Sequence, residues 1–497
     1  MNIRRALLVL AATAAALSCG AWRVCAQEET QPQPAPKAAA KDYTGVLDTL
    51  NEGDVNETKN GADEFRPDVR PLAGIQTPTI GERQFRHSFW VPGFEYDSTI
   101  QSANLNGPTL LSPSSGWSAN NYFLGNLSLL ETGTRSQLAL NYSGGGFFST
   151  DHALGNGMVQ ELGIIQAFHW RRWKLQFLDQ FAYLPETQFG FGGATNLSVP
   201  GIDTPLSPAL PGLGSNIAPS QDIFGGSGPR YSNAFAIQTT YALTPRTSIT
   251  MAGAYDLLHF VDKVAPGVLD ALRANYDTYN AVGNFGYEYA LTRRDSIGAF
   301  YRFTSYHFNA NAQAIGDHIV SIAYGRKITG RLGLQLSAGP ELAELRVPVN
   351  GQTRRTLWAS SAWLTYVVPG GTLTMGYTHG TSDGSGALVG STADQVTFSG
   401  NHRVGRLWNV LGSVGYSHNK SLGTNSSQSF QLSFDSYFFT GGLSRPLGPN
   451  TNLSLGYTAR IQGSSGAICP TTVCGSDFTQ HLVSIGLRWN TRPFVIH

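Results

Sequence analysis

The chain has 497 residues, with 34 Lys and Arg against 33 Asp and Glu, a formal net charge of +1. That balance offers no electrostatic footprint for nucleic acid, so nucleic acid is not an expected partner. Charged residues make up only 13%, beside 57 Gly, 20 Tyr and 26 Phe, and beyond the N-terminus no run approaches the ~20 consecutive apolar residues of a membrane helix.

Met1 to Ala26 reads as a secretory signal peptide. Arg4 and Arg5 supply the positive start, Ala6 to Leu17 the apolar stretch, and Val24-Cys25-Ala26 a cleavage site before Gln27. The rival reading is a lipoprotein leader acylated at Cys19, with Ala16 where such leaders prefer leucine. Residues 27–93 differ in composition. Gln31-Pro-Gln-Pro-Ala-Pro36 cannot bury a core, so the stretch to about Glu82 is expected to be a flexible periplasmic tail. A plug or a peptidoglycan-side contact is the alternative.

From about Phe94 a period of two takes over. Leu138-Ala-Leu140-Asn-Tyr142, Leu373-Thr-Met375-Gly-Tyr377 and Leu453-Ser-Leu455-Gly-Tyr457 each alternate a large apolar residue with a small or polar one and end on tyrosine. Phe94 to Ser102 is the first expected strand. Asn120 to Leu130 and Ser136 to Phe147 form a hairpin, as do Met158 to His169 and Trp173 to Leu184. Ser232 to Leu243 pairs with Ser248 to Phe260, Thr278 to Leu291 with Ser296 to Phe308, and His318 to Ile328 with Arg331 to Glu341. Leu357 to Val368 and Thr372 to His379 follow, then Asp394 to Arg403 with Trp408 to His418. Ser429 to Thr440, Thr451 to Ile461 and Phe478 to Trp489 complete the set.

Turns of a few residues alternate with longer loops rich in Gly, Ser, Asn and Pro. On Thr278 to Leu291 one face carries Tyr279, Phe285, Tyr287 and Tyr289 and the other Asn280, Asn284 and Glu288. Tyr and Trp recur at strand ends, where amphipathic rings suit the lipid headgroup level. These features point to an all-β chain: a single transmembrane antiparallel up-and-down β-barrel of about 18 strands, or 16, spanning residues 94–489, with a C-terminal extension over 490–497.

The last expected strand carries Ser484-Ile-Gly486-Leu-Arg-Trp489. This resembles the terminal assembly signal of Gram-negative outer-membrane barrels of porin-like architecture. It departs from that pattern at Thr491, where a second aromatic is usual, and in the residues Arg492 to His497 that follow. The resemblance implies an outer-membrane location with the N-terminal segment in the periplasm. It also implies outer-membrane lipid and the barrel-assembly machinery as partners, and no cofactor. The expected function is an outer-membrane channel for passive or weakly selective passage of small hydrophilic solutes. The alternatives are an export or docking barrel for a polymer such as an exopolysaccharide, and a structural or adhesion barrel with a closed lumen.

The connection from Pro185 to Arg230, with Phe189, Phe191 and Phe224, resembles the long porin loops that fold inward and constrict the lumen; an external lid is the other reading. The alternation nominates Asp256, Glu288, Glu341, Asp435, Arg302, Arg403, Arg460 and Arg488 as lumen-facing. Such a mixture predicts weak ion selectivity, unless each charge is paired in a filled lumen. Asp179 falls on the lipid-facing parity, with Gln166 opposite it across the turn. That defect suggests a subunit interface of a homo-oligomer or a β-bulge that turns Asp179 inward. Cys469 and Cys474 are expected to form a disulfide, with no histidine at metal-ligand spacing. His379, His402 and His418 lie beside Ser and Asn, but the spacing resembles no lipase motif, and no enzyme activity is expected.

Overall fold

In the computed structural model the described residues are 88–106, 116–150, 156–184, 197–198, 205–206, 230–261, 277–292, 294–308, 313–349, 351–384, 388, 390–405, 407–422, 433–465 and 477–496. The strands are β1 (Ser88–Asn106), β2 (Gly116–Thr132), β3 (Ser136–Ser149), β4 (Gly157–His169) and β5 (Trp173–Leu184). After β6 (Leu197–Ser198) and β7 (Pro205–Leu206) come β8 (Arg230–Thr244), β9 (Thr247–Phe260), β10 (Thr278–Ala290) and β11 (Asp295–Phe308). Next are β12 (Ala314–Lys327), β13 (Leu332–Val349), β14 (Gln352–Val368), β15 (Gly371–Ser382) and β16 (Ser391–Val404). The last are β17 (Trp408–Ser421), β18 (Ser433–Pro446), β19 (Thr451–Ser465), β20 (Asp477–Asn490) and β21 (Phe494–Ile496).

Eighteen of these form one closed antiparallel barrel with no helix among the described residues. Each long strand pairs with the next in the chain, and β1 pairs with both β2 and β20, which closes the circle. Closure satisfies every strand edge, as a membrane interior demands. Strands β6 and β7 pair only with each other, inside the long connection. Strand β21 returns to the start of β1, where Phe494 stacks on Trp90 at 4.8 Å and Thr491 N donates to the Pro92 carbonyl at 2.9 Å.

The alternation is the one expected for a sheet with lipid on one side. On β10, Phe285, Tyr287 and Tyr289 are exposed on one face, while Asn280, Asn284 and Glu288 are buried on the other. Contacts between strands that are not neighbours identify the buried face as the inner one. Tyr306 Oη on β11 donates to the Thr381 carbonyl on β15 at 3.0 Å, across the interior. Apolar packing is confined to small inner patches, such as Phe308, Ile315, Ala343, Leu345 and Leu422.

The turn ends of the strands fall close to their expected positions, except on β1, which begins at Ser88, and on β18, which runs on to Pro446. Many of the other ends run further than the sequence suggests, while β5, β9, β10 and β11 stop where expected and β18 starts later, at Ser433. The expected long loop between Glu341 and Leu357 is strand on both sides, joined only by residues 350–351, with Gly351 at φ 75°. The strict alternation of short and long connections therefore fails at this hairpin. Its residues continue the strand past the apolar band, where polar side chains hide the period.

Candidate functional site

The inner wall concentrates ionisable groups toward the end of the barrel that bears the longer connections, called the loop end below. Asp256 on β9, Asp317 on β12 and Glu341 on β13 are buried on the inner face, with Glu288 nearer the turn end of β10. Asn280 Nδ2 donates to Asp256 at 2.8 Å and to Asp383 at 3.2 Å. Glu341 accepts the Thr381 backbone N–H at 2.9 Å. The Asp317 carboxyl lies beside Glu341 with the Arg302 guanidinium in electrostatic range. Neither oxygen of Asp317 meets a hydrogen-bond donor among the described residues.

This mouth is reached by described residues of the connection between β15 and β16. Gly384 and Gly390 bracket it at φ 66° and 79°, a conformation that favours glycine. Asp383 and Leu388 are buried in it, and Gly390 abuts Ile315 and Leu422. Arg230 of β8, the strand beside β9, is buried and lies in electrostatic range of Arg460 of β19, although β8 and β19 are not neighbours. Arg460 Nη1 donates to Gln480 at 3.2 Å. At the closing seam Arg488 of β20 grips both oxygens of Glu95 on β1, at 2.6 to 2.9 Å. Asp97 lies beside that pair.

Of the nominated lumen residues, Asp256, Glu288, Arg302, Glu341, Arg460 and Arg488 lie on the inner face, and Arg403 shares that parity at the exposed turn end of β16. Asp435 does not. It shares the outer face with Tyr437 and Phe439, and it accepts from Tyr416 Oη at 2.8 Å. The error has a cause in the sequence: β18 carries aromatics on both faces, with Phe434 and Phe438 inside, so composition alone does not identify its lipid side.

Asp179 faces outward in an unbroken register, so no bulge turns it inward. It pairs with Ile164, while Gln166 pairs with Phe177, which corrects the expected opposition of Asp179 and Gln166. Its actual partner is Asn233 Nδ2 on β8, at 2.9 Å. Ser484 and Gly486 of the terminal signal face inward and Trp489 outward. Phe189, Phe191, Phe224, Cys469 and Cys474 lie outside the described residues, as do the leader and the tail to residue 87.

The outer face carries a second set of groups near the loop end. His379 on β15, Asp394 on β16, His418 on β17 and Asp435 on β18 stand side by side in one row. His379 Nδ1 meets Asp394 at 2.7 Å, and His418 Nδ1 meets Asp435 at 2.9 Å. Tyr377 donates to Asp394 at 2.9 Å. Trp358 stacks on His379 with ring centroids 4.4 Å apart. Tyr301 bonds His318 Nδ1 at 2.8 Å and Tyr457 bonds His481 Nδ1 at 2.9 Å in the same manner. Ser360 stands in register with His379, but no hydrogen bond joins Ser360 Oγ to the ring, so the nucleophile–base contact of a hydrolase dyad is not formed. At the opposite end the girdle is of ordinary kind, with Arg445 over the Trp408 ring at 5.2 Å.

The arrangement defines a class: a large transmembrane β-barrel with a polar lumen. No protein-family model matches the chain, and no curated protein matches it. Solved structures that resemble it include Acinetobacter baumannii OccAB3, at 10% identity over 80% of this chain and 99% of that one, with a TM-score of 0.39. Pseudomonas aeruginosa OccK2 (OpdF) in complex with glucuronate shares 10% identity over 81% and 98%, with a TM-score of 0.41. Pseudomonas aeruginosa OpdK with vanillate shares 11% identity over 81% and 99%, with a TM-score of 0.38.

Proposed function

We propose that the chain is an outer-membrane channel of a Gram-negative bacterium that passes small hydrophilic solutes by diffusion with weak selectivity. The observation that carries this reading is the closed ring of 18 strands with apolar residues outside and polar ones inside. Barrels of this size leave an aqueous passage through their centre. The inner charges support weak selectivity. Asp256, Asp317, Glu341 and Asp383 face the lumen together with Arg230, on β8 beside the strand of Asp256, and Arg460, on the non-neighbouring β19, so a solute of either sign meets both attraction and repulsion. The described residues Asp383, Leu388 and Gly390, which reach the inner face between β15 and β16, support a narrowing there.

The test is conductance of the full-length protein in a planar bilayer, repeated after deletion of Gln27 to Glu82. Steady current of low ion selectivity from the full-length protein is expected. Current only after the deletion would make the tail a plug and favour gated transport of a polymer. Silence in both would overturn the channel reading.

A further inference from the structure

The row on the outer face has no role in conduction. Ionisable side chains facing lipid are costly unless they lie at the headgroup level or have partners. His418 is ten positions beyond Trp408, the first residue of β17 at the turn end. At ~3.3 Å per residue and a tilt near 40° that is about 25 Å along the membrane normal, the height of the apolar band of such barrels. The row therefore sits where the apolar band gives way to headgroups.

Each imidazole of the row is held through Nδ1 by a carboxylate. That bond fixes the ring and leaves Nε2 for another partner. Among the described residues nothing hydrogen-bonds Nε2 of His379 or His418. Lys420, two positions beyond His418 on the same face, is exposed and adds a permanent positive charge. The groups facing His379 are Trp358 and Ser360 on β14, Tyr377 on its own strand and Asp394 on β16. Those facing His418 are Asp394 on β16, Asp435 on β18, and Tyr416 and Lys420 on its own strand. With both imidazoles protonated, the two carboxylates are balanced and Lys420 leaves the patch cationic. Its N–H donors then point away from the barrel, at the level of the surrounding headgroups.

From this geometry we infer that His379, His418 and Lys420, braced by Asp394 and Asp435, form a binding site for the phosphate of an outer-leaflet lipid headgroup. The inference rests on the outer-membrane reading above.

The test compares the full-length protein with the His379→Gln/His418→Gln/Lys420→Gln variant in phosphatidylcholine vesicles containing lipid A. Lipid retained per barrel is counted by native mass spectrometry at pH 6. A roughly ten-fold fall in lipid A affinity is expected for the variant at pH 6, about 1.4 kcal/mol. Equal retention by both proteins at pH 6 would overturn the site. Displacement of lipid A by inorganic phosphate at equal concentration would overturn the assignment to a lipid. A detergent unfolding midpoint unchanged in the variant separates lost binding from lost structure. Conductance of the same samples distinguishes the two readings: a conducting barrel without lipid retention defeats only the site, and a silent barrel that retains lipid defeats only the channel.

Discussion

A methyl group at Gly390 would meet the Ile315 side chain, and the backbone there is at φ 79°. Gly390→Ala is therefore expected to cost about 1–2 kcal/mol and to loosen the inward segment, read as a lower unfolding midpoint and noisier single-channel current. Asp179 presents the opposite case, a carboxylate on the lipid side whose seen partner is Asn233. In a lone barrel Asp179→Leu is expected to stabilise by about 1–2 kcal/mol, since a lipid-facing carboxylate is destabilising. Loss of a detergent-stable oligomer on the same substitution would instead identify this wall as a subunit contact. Single residues were the least legible in the sequence. The partners in the outer row are 15 and 17 positions apart, His379 with Asp394 and His418 with Asp435. Only the register of adjacent strands brings them together, and no local motif encodes that register. Asp317 was missed for a different reason: its strand begins at Ala314, before the apolar period is visible.

Strands were legible because two signals coincide at the turn end: apolar alternation stops and a Gly, Pro or Arg turn begins. At Thr329-Gly330 and Pro369-Gly370 the chain turns where the sequence indicates. At the loop end the strands outrun the lipid, so their outer residues face water on both sides and the period fades. One element depends on a distant contact. The seam between β1 and β20 is held by the Arg488–Glu95 pair, whose side chains are 32% and 14% exposed. Arg488→Ala is expected to destabilise by about 1–3 kcal/mol, because it leaves the Glu95 carboxylate without its charged donor, and Glu95→Gln by less, because the amide oxygen still accepts from Arg488. A double-mutant cycle on the denaturation midpoint measures their coupling, and additivity would show that the pair does not hold the seam.

For the whole molecule the inward segment is the adjustable part. Replacing Asp383 to Gly390 with an Asn-Gly turn leaves β15 and β16 in register and removes the mass that rests against Ile315 and Leu422. Single-channel conductance is expected to rise, and an unchanged value would place the narrowing elsewhere. The closing seam has a consequence in time. Every other barrel pairing joins strands adjacent in order along the chain, while Arg488 and Glu95 are 393 positions apart. Sequence-distant pairing is slow, so a growing sheet of hairpins would persist with two bare edges until its final strand arrives. Residues 494–496 lie against Ser88–Trp90, beside the place where those edges meet. They would act as a latch that engages only after the last hairpin is in place, making β21 a checkpoint for completed assembly.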